Sequence, residues 1–231
     1  MQNNIDQSQN VTCLVTAYNA ALYIEEAIHS LATQTHPPAE IVLVDDGSTD
    51  DTAKLAKAAG GSLVSVITQP NAGVIAGRNR CLNEIRHPFV LFSDADDISK
   101  PDRISTALSA FAKTPALSAV FGHWRNFWID ELADEENASS NAVPRGIQQS
   151  RLLCSGVFRS DFVRSVGPFE EGLSMSEVLW VSRASKLAMF VEDLDQLVYE
   201  RRIHHTNMSR KKSVDDMFDL IARMRMLKSR A

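Results

Sequence analysis

Short apolar runs alternate with segments of helical period along the first hundred residues. Val11–Thr16 is a largely apolar run that predicts a buried strand. Asn19 is placed to cap a helix running to about Thr33, with Leu22, Ile28 and Leu31 among its apolar positions, and Pro37-Pro38 ends that unit. Ile41–Asp45 reads as the second strand, the following GSTDD supplies a turn and a helix cap, and Thr52–Ala59 reads as a helix closed by Gly60-Gly61. Leu63–Thr68 is the third strand. Pro70-Asn71-Ala72-Gly73 turns into a helix from about Val74 to Arg86, and Phe89–Ser93 is the fourth strand. Strand, helix, strand, helix at this pitch predicts an α/β fold: a doubly wound, mostly parallel sheet with helices on both faces.

Beyond Asp97 the pattern changes. Pro101 sits where a helix start tolerates its missing N–H, and that helix runs to about Lys113. Leu117–Ile129 is aromatic and strand-like, whereas Asp130–Asn141 (DELADEENASSN) is acidic and polar, which predicts a mobile loop. Helical patterns follow at Ile147–Leu153, Ser160–Ser165 and Ser176–Leu187, with strands near Gly156–Arg159, Met189–Val191 and Leu197–Glu200. From Ser213 onward Val214, Met217, Phe218, Ile221, Met224 and Leu227 share one helical stripe, the mark of an amphipathic helix over 211–231. Packing on the domain or pairing with a second copy would bury that stripe; nearby Arg223, Arg225, Lys228 and Arg230 also suit a membrane surface.

Of the 231 residues 44% are hydrophobic, enough for one well-buried domain and too few for two. No internal repeat or linker divides the stretch 11–210, and residues 1–10 are expected to be disordered. The net charge of −5, with Lys and Arg scattered, argues against a nucleic-acid partner. Cys13, Cys81 and Cys154 are far apart, lack metal-ligand spacing and read as buried reduced thiols. The polar MQNNIDQSQN start has no apolar core of a leader, and no run approaches roughly 18 apolar residues, so a cytoplasmic location is expected.

Two acidic clusters follow apolar strand-like runs: Asp45-Asp46-Gly47 after Ile41–Val44, and Asp94-Ala95-Asp96-Asp97 after Phe89–Phe92. Ligands of open α/β sheets bind at the carboxyl ends of the strands, and the spacing of Asp94 and Asp96 turns both toward one side of an extended segment. That arrangement suits a divalent cation bridging a diphosphate. Solvated turn residues, or a cap ahead of Pro101, are the plainer reading of the same four residues.

The runs VTCLVTAYNAALYIEEAIHSLATQTHPPAEIVLVDDGSTDDT, NAGVIAGRN and FSDADDISKPDRI resemble, in order and spacing, the nucleotide-binding half of family-2 glycosyltransferases with the GT-A fold. GPFEEGLSMSEVLWVSRA and YERRIHHTNMSR resemble the second half, so the likeness spans roughly residues 11–210. It implies a nucleotide-binding half over about 11–100 and an acceptor half over about 101–210. The implied activity is transfer of a sugar, with inversion, from a nucleotide-diphosphate donor such as a UDP-sugar to a hydroxyl of a saccharide, lipid-linked or other acceptor.

By the same resemblance Asp96 is a ligand of Mn²⁺ or Mg²⁺, and Asp94 reaches the ribose or the metal. Asp46 is the contact to the nucleobase, plain helix-turn chemistry being the alternative, with Thr16 and Tyr18 of VTAYN at neighbouring nucleotide positions. The family more often has Pro where Thr16 stands, which leaves the base preference open. Arg78 matches a position that approaches the nucleotide, and its guanidinium offers fork-like donors to phosphate; a solvated helix face is the alternative. His204 resembles a histidine that approaches the metal or diphosphate, the alternative being a polar loop shared with Arg201, Arg202 and His205.

The implied general base is Glu177. Family members commonly carry Glu-Asp before a Trp and an Arg, whereas here Ser176-Glu177-Val178-Leu179-Trp180 continues to Arg183. Glu177 falls in the Asp position, its extra methylene displaces the carboxylate by about 1 Å, and Leu179 stands where a second acid is common. A first-turn Glu that merely favours the helix dipole is the alternative. Trp124, Phe127 and Trp128 are either core or an acceptor-stacking surface. Two rival functions differ in class: a catalytically weak or inactive nucleotide-sugar-binding protein, favoured by the departures at Ser176, Glu177 and Leu179, and a sugar nucleotidyltransferase. The latter needs a Gly-rich loop after the first strand, and Thr16-Ala17-Tyr18-Asn19 is not one.

Overall fold

A computed structural model describes residues 7–137, 143–173, 175–188, 190–207 and 223. Strands β1 (Val11–Ala17), β2 (Glu40–Asp45), β3 (Val64–Thr68) and β4 (Phe89–Asp94) lie parallel in the order β3-β2-β1-β4. Helices α1 (Ile24–Ala32), α2 (Thr52–Gly60) and α3 (Val74–Leu82) connect them. The sheet then continues through β8 (Gly156–Arg159), antiparallel to β4, then β6 (Ala119–Trp128), antiparallel to β8. Next come β9 (Val191–Ile203), parallel to β6, and the short β5 (Ile98–Ser99), antiparallel to β9; β7 (Ile147–Gln148) pairs β6. Helices α4 (Arg103–Lys113), α5 (Ala133–Asn137), α6 (Ser160–Val166) and α7 (Ser176–Leu187) complete the α-helices among the described residues.

The apolar strands are covered on both faces, as their sequence requires. Val11, Cys13 and Val15 face a core with Ile24, Ile28 and Leu31 of α1, Ala56 of α2 and Ile104 and Phe111 of α4. Leu14, Val42 and Val44 face the opposite way, toward Cys81 of α3, Val163 of α6 and Trp180 and Ala184 of α7. Helices therefore lie on both sides of a mixed sheet in which most paired residues belong to parallel ladders. Trp124 and Trp128 are buried, the former donating Nε1–H to the Ser150 carbonyl, so both belong to the core.

Several elements depart from expectation. Asn19 does not cap a helix: it adopts φ +48°, and its Oδ1 accepts from the backbone N–H of Thr49 at 2.8 Å. The first helix therefore starts at Ile24, and Leu22 is 87% exposed rather than on its apolar face. The third helix ends at Leu82, not Arg86, and α4 begins two residues after Pro101. Within the acidic stretch Asp130–Leu132 forms a 3-10 turn and Ala133–Asn137 a helix; Leu132 anchors the turn against Trp128 and Ile203. The helix expected over Ile147–Leu153 is instead the β7 strand and a 3-10 turn at Leu153–Ser155. The two short strands expected near 189–200 form one 13-residue strand, β9.

Gln7–Gln9 forms a 3-10 turn ahead of β1, whereas residues 1–6 lie outside the described residues. The amphipathic helix expected over 211–231 also lies outside them, apart from Arg223, which is ion-paired with Glu170. Among the described residues no helix is long and apolar enough to cross a membrane.

Candidate functional site

Parallel pairing brings the residues that follow β1, β2 and β4 to one edge of the sheet. Thr16 stands opposite Asp94 across β1 and β4, and Ala17 opposite Asp45 across β1 and β2. Thr16, Tyr18, Asp46, Asp94 and Asp96 thus gather at the carboxyl ends of the parallel strands, where their spacing along the chain is erased.

Arg78 lies in α3 with only 4% of its side chain exposed. Its Nε donates to Glu177 Oε1 at 3.0 Å and one Nη donates to Asp94 Oδ1 at 2.6 Å. Burial works against the charge, but Asp94 and Glu177 outweigh it and hold the guanidinium's pKa well above its ordinary value. Arg78 is therefore not a solvated helix residue, and two arms of the fork that the resemblance aims at phosphate are taken by carboxylates. Glu177 comes from the first turn of α7, 99 residues away in sequence, and its side chain is 23% exposed.

A second cluster fixes the Asp94–Asp97 turn to β9 and the residues after it. Asp96 Oδ2 lies 2.8 Å from Nε2 of the buried His204, and Thr206 Oγ1 lies 3.0 Å from the other ring nitrogen. Asn207 donates to Asp96 Oδ2 at 3.4 Å and to the Arg202 carbonyl at 3.1 Å. Arg202 donates Nε–H to the Asp96 carbonyl at 2.9 Å, with its guanidinium over the rings of Tyr23 and Phe127. His204 is thus no free loop residue, and His205 beside it is exposed.

Asp97 turns inward. It is 2% exposed and accepts from the Tyr199 hydroxyl and the Arg202 backbone N–H, each at 2.7 Å. Burial, then the neighbouring Asp96 and Asp94 charges, push its carboxyl well above the usual range. Asp97 belongs to the acidic cluster visible in the sequence but carries no assigned role there, and Tyr199, Arg202 and Asn207 are not site candidates from the sequence. A third acid directly after the DxD run is the available signal for Asp97; nothing local marks the other three.

Asp46 is 3% exposed and already holds a loop: Oδ1 accepts from Gln69 Nε2 at 2.7 Å and Ala72 N–H at 3.0 Å, Oδ2 from Gly73 N–H at 2.7 Å. Asp45 bonds backbone, accepting from Ser48 N–H at 3.1 Å. Thr16 carries a buried hydroxyl oxygen with no hydrogen-bond partner among the described residues, and Tyr18 is 52% exposed. A Cβ on Gly77 would lie 3.3 Å from the Thr16 methyl, so this glycine sets how closely α3 approaches the site.

Among the described residues no three His, Cys, Asp or Glu side chains form a preassembled metal cage. A hard cation that completes its shell with phosphate oxygens and water needs only one or two protein carboxylates. Asp96, joined by the converging His204 nitrogen and flanked by Asp94, fits that requirement. Ser176 Oγ is buried without a partner among the described residues, and Leu179 is 2% exposed. Two cavities lie away from this edge: about 340 Å³ between α3 and α6, lined by Asn79, Leu82 and Val163, and about 320 Å³ beside Arg86 and Arg159.

Glycosyl transferase family 2 matches residues 12–162. A chondroitin synthase of Escherichia coli is 29% identical over 216 residues, covering 87% of this chain and 30% of that protein. The uncharacterized glycosyltransferase YibD of E. coli K12 is 25% identical over 223 residues, covering 89% of this chain and 65% of that protein. This chain thus spans less than two thirds of either relative. Residues 1–349 of Staphylococcus aureus TarS, in complex with UDP-GlcNAc, superpose with TM-score 0.72 at 22% identity, covering 89% of this chain and 62% of that one. The mannosyltransferase PcManGT of Pyrobaculum calidifontis, with GDP-Man and Mn²⁺, gives 0.63 at 19% identity, covering 86% and 58%. Those two likenesses carry the fold, and the sequence match carries the family: the chain belongs to glycosyl transferase family 2 and has the GT-A fold.

Proposed function

We propose that the chain is a family-2 glycosyltransferase of hexosyltransferase type, moving a sugar from a UDP-sugar to an acceptor hydroxyl with inversion and metal assistance. The observation that carries this reading is the pair of carboxylates, Asp94 and Glu177, held on one buried guanidinium. It sets the only acid retained from the family's base motif beside the DxD turn. Glu177 takes the proton of the acceptor hydroxyl as its oxygen attacks the anomeric carbon. The bond from that carbon to the diphosphate oxygen breaks on the opposite face, and its electron pair leaves with the nucleoside diphosphate.

Asp46, Thr16, Tyr18 and Asp94 line the nucleotide, with Arg78 behind them. Asp96 and His204 would hold Mn²⁺ or Mg²⁺, whose charge would neutralise the departing diphosphate. The UDP-GlcNAc of the TarS complex and the Mn²⁺ of the PcManGT complex support the donor and metal classes. A saccharide, a lipid-linked saccharide or another hydroxyl serves as acceptor.

Calorimetry with UDP tests the donor site: affinity should require Mn²⁺ or Mg²⁺, and Asp96→Ala should remove most of it. Equal affinity in excess chelator would refute the metal assignment. A second reading, a binding protein without turnover, is favoured by the burial of Leu179 where a second acid is common in the family. UDP release from UDP-sugars in water separates the two.

A further inference from the structure

Arg78 has two unequal demands on it. Its side chain is 4% exposed, so its charge needs partners, and the two it finds belong to opposite sides of the reaction: Asp94 at the donor turn and Glu177 at the acceptor side. The partners use different nitrogens of one rigid planar group, so the orientation that satisfies one carboxylate fixes the direction offered to the other. α3 itself is held close to β1, because a Cβ on Gly77 would lie 3.3 Å from Thr16 Cγ2 and Cys81 Sγ lies 3.7 Å from the Val15 carbonyl. The guanidinium therefore projects from a fixed base.

Glu177 has the complementary problem. It stands in the first turn of α7, carries one methylene more than Asp and is 23% exposed, so the bond from Arg78 adds a directed restraint to the partial packing around it. The Nε–H of Arg78 bonds Oε1, and the second carboxylate oxygen, which has no hydrogen bond shown among the described residues, is the one to act on a proton.

We infer that Arg78 is a positioning residue for the base: it aims Glu177 at the acceptor and ties that aim to Asp94, rather than binding donor phosphate. This rests on the reading of Glu177 as general base. A misplacement of about 1 Å can cost on the order of 100-fold in rate, so loosening this one bond should be visible in turnover.

The test is a double-mutant cycle on full-length protein. UDP release is followed with UDP-GlcNAc, UDP-glucose and UDP-galactose, and UDP affinity is measured with Mn²⁺. Arg78→Lys keeps the charge but cannot hold both carboxylates with a planar fork. It should lower kcat by about 10- to 100-fold while leaving KM for the donor and UDP affinity within about 3-fold. In a Glu177→Gln background the same substitution should cost less than about 3-fold more, because the group it positions no longer accepts a proton. Glu177→Asp, whose carboxylate draws back from Arg78, should likewise blunt it.

Loss of UDP affinity in parallel with kcat would make Arg78 a phosphate ligand and overturn the inference. Penalties that multiply across the cycle would overturn it too, since the two residues would then act independently. If Glu177→Gln matches wild type, or wild type turns over none of the three donors, the underlying assignment of the base falls and the inference with it. Should Arg78→Lys not fold, as judged by its thermal transition, Arg78→Gln is read by the same criteria.

Discussion

His204 and His205 are chemically identical and adjacent, yet one is 6% exposed with Nε2 2.8 Å from Asp96 while the other faces solvent. The proposed metal site makes their substitutions diverge. Imidazole suits Mn²⁺ better than Mg²⁺, so His204→Ala should weaken Mn²⁺-supported UDP binding by about 10-fold or more, and the Mg²⁺-supported affinity less. His205→Ala should stay within about 2-fold in both. Calorimetry with either cation checks this, and indistinguishable effects of the two substitutions would remove His204 from the site. The same logic separates Asp96 from Asp97: one is 26% exposed at its side chain and meets His204, the other points inward to Tyr199 and the Arg202 backbone.

At the scale of elements, Asp50 ties the loop before α1 to the start of α2. Oδ1 accepts from Thr52 N–H at 3.0 Å and Oδ2 from Ala21 N–H at 3.1 Å, while Thr52 Oγ1 accepts from Ala20 N–H at 2.8 Å. Slight burial pulls its pKa up, but the hydrogen bond donated by the Thr52 hydroxyl to Oδ1, then those from the Ala21 and Thr52 backbone N–H groups, outweigh it and hold the carboxyl below its ordinary 3.8. A depressed pKa means stability present above 3.8 and lost as the pH falls below it. Asp50→Ala should therefore cost about 1 kcal/mol at pH 7, by analogy with a lost helix cap, and progressively less below pH 4. Urea unfolding of both proteins across that range reads the difference. Between β6 and β9 the constraint is steric: a Cβ on Gly122 would meet the Val198 methyls at 2.4 and 2.6 Å. Gly122→Ala should cost about 1–3 kcal/mol, measured the same way, because the two strands must part or Val198 must leave its rotamer.

For the molecule as a whole, the two apolar layers leave no thiol at the surface. Cys13, Cys81 and Cys154 are free and at most 3% exposed. Burial pushes Cys13 and Cys81 up to about 12 and Cys154 higher still. Thiolate is the reactive form, so at pH 8 the folded protein should not react with a disulfide reagent, whereas in urea all three thiols should. The labelling rate in dilute urea should follow global unfolding. Fast reaction of any one thiol in the native protein would show that its layer opens locally.

The first four strands, the three helices between them and the boundaries of β8 and α7 were legible in the sequence. Each is a local signal: a run covered on both faces must be apolar throughout, and a helix must repeat its apolar face every turn. The acidic ends of β2 and β4 were legible for the same reason, since a carboxylate after a buried strand stands out against it. Where a residue's environment is set by a distant partner, the local signal failed. Asn19 carries the side chain of a cap but spends it on Thr49, thirty residues on, and β9 reads as two fragments because only its pairing with β6 makes it continuous. Asp97, Tyr199, Arg202 and Asn207 are ordinary in sequence and are made into one buried network by chain segments about a hundred residues apart. Arg78 shows the division most plainly. Its type and its place on a glycine-bearing helix were in the sequence; that its fork faces Asp94 and Glu177 was decided by the packing of α3 and α7 against one edge of the sheet, because a buried cation takes the anions that the fold brings within reach.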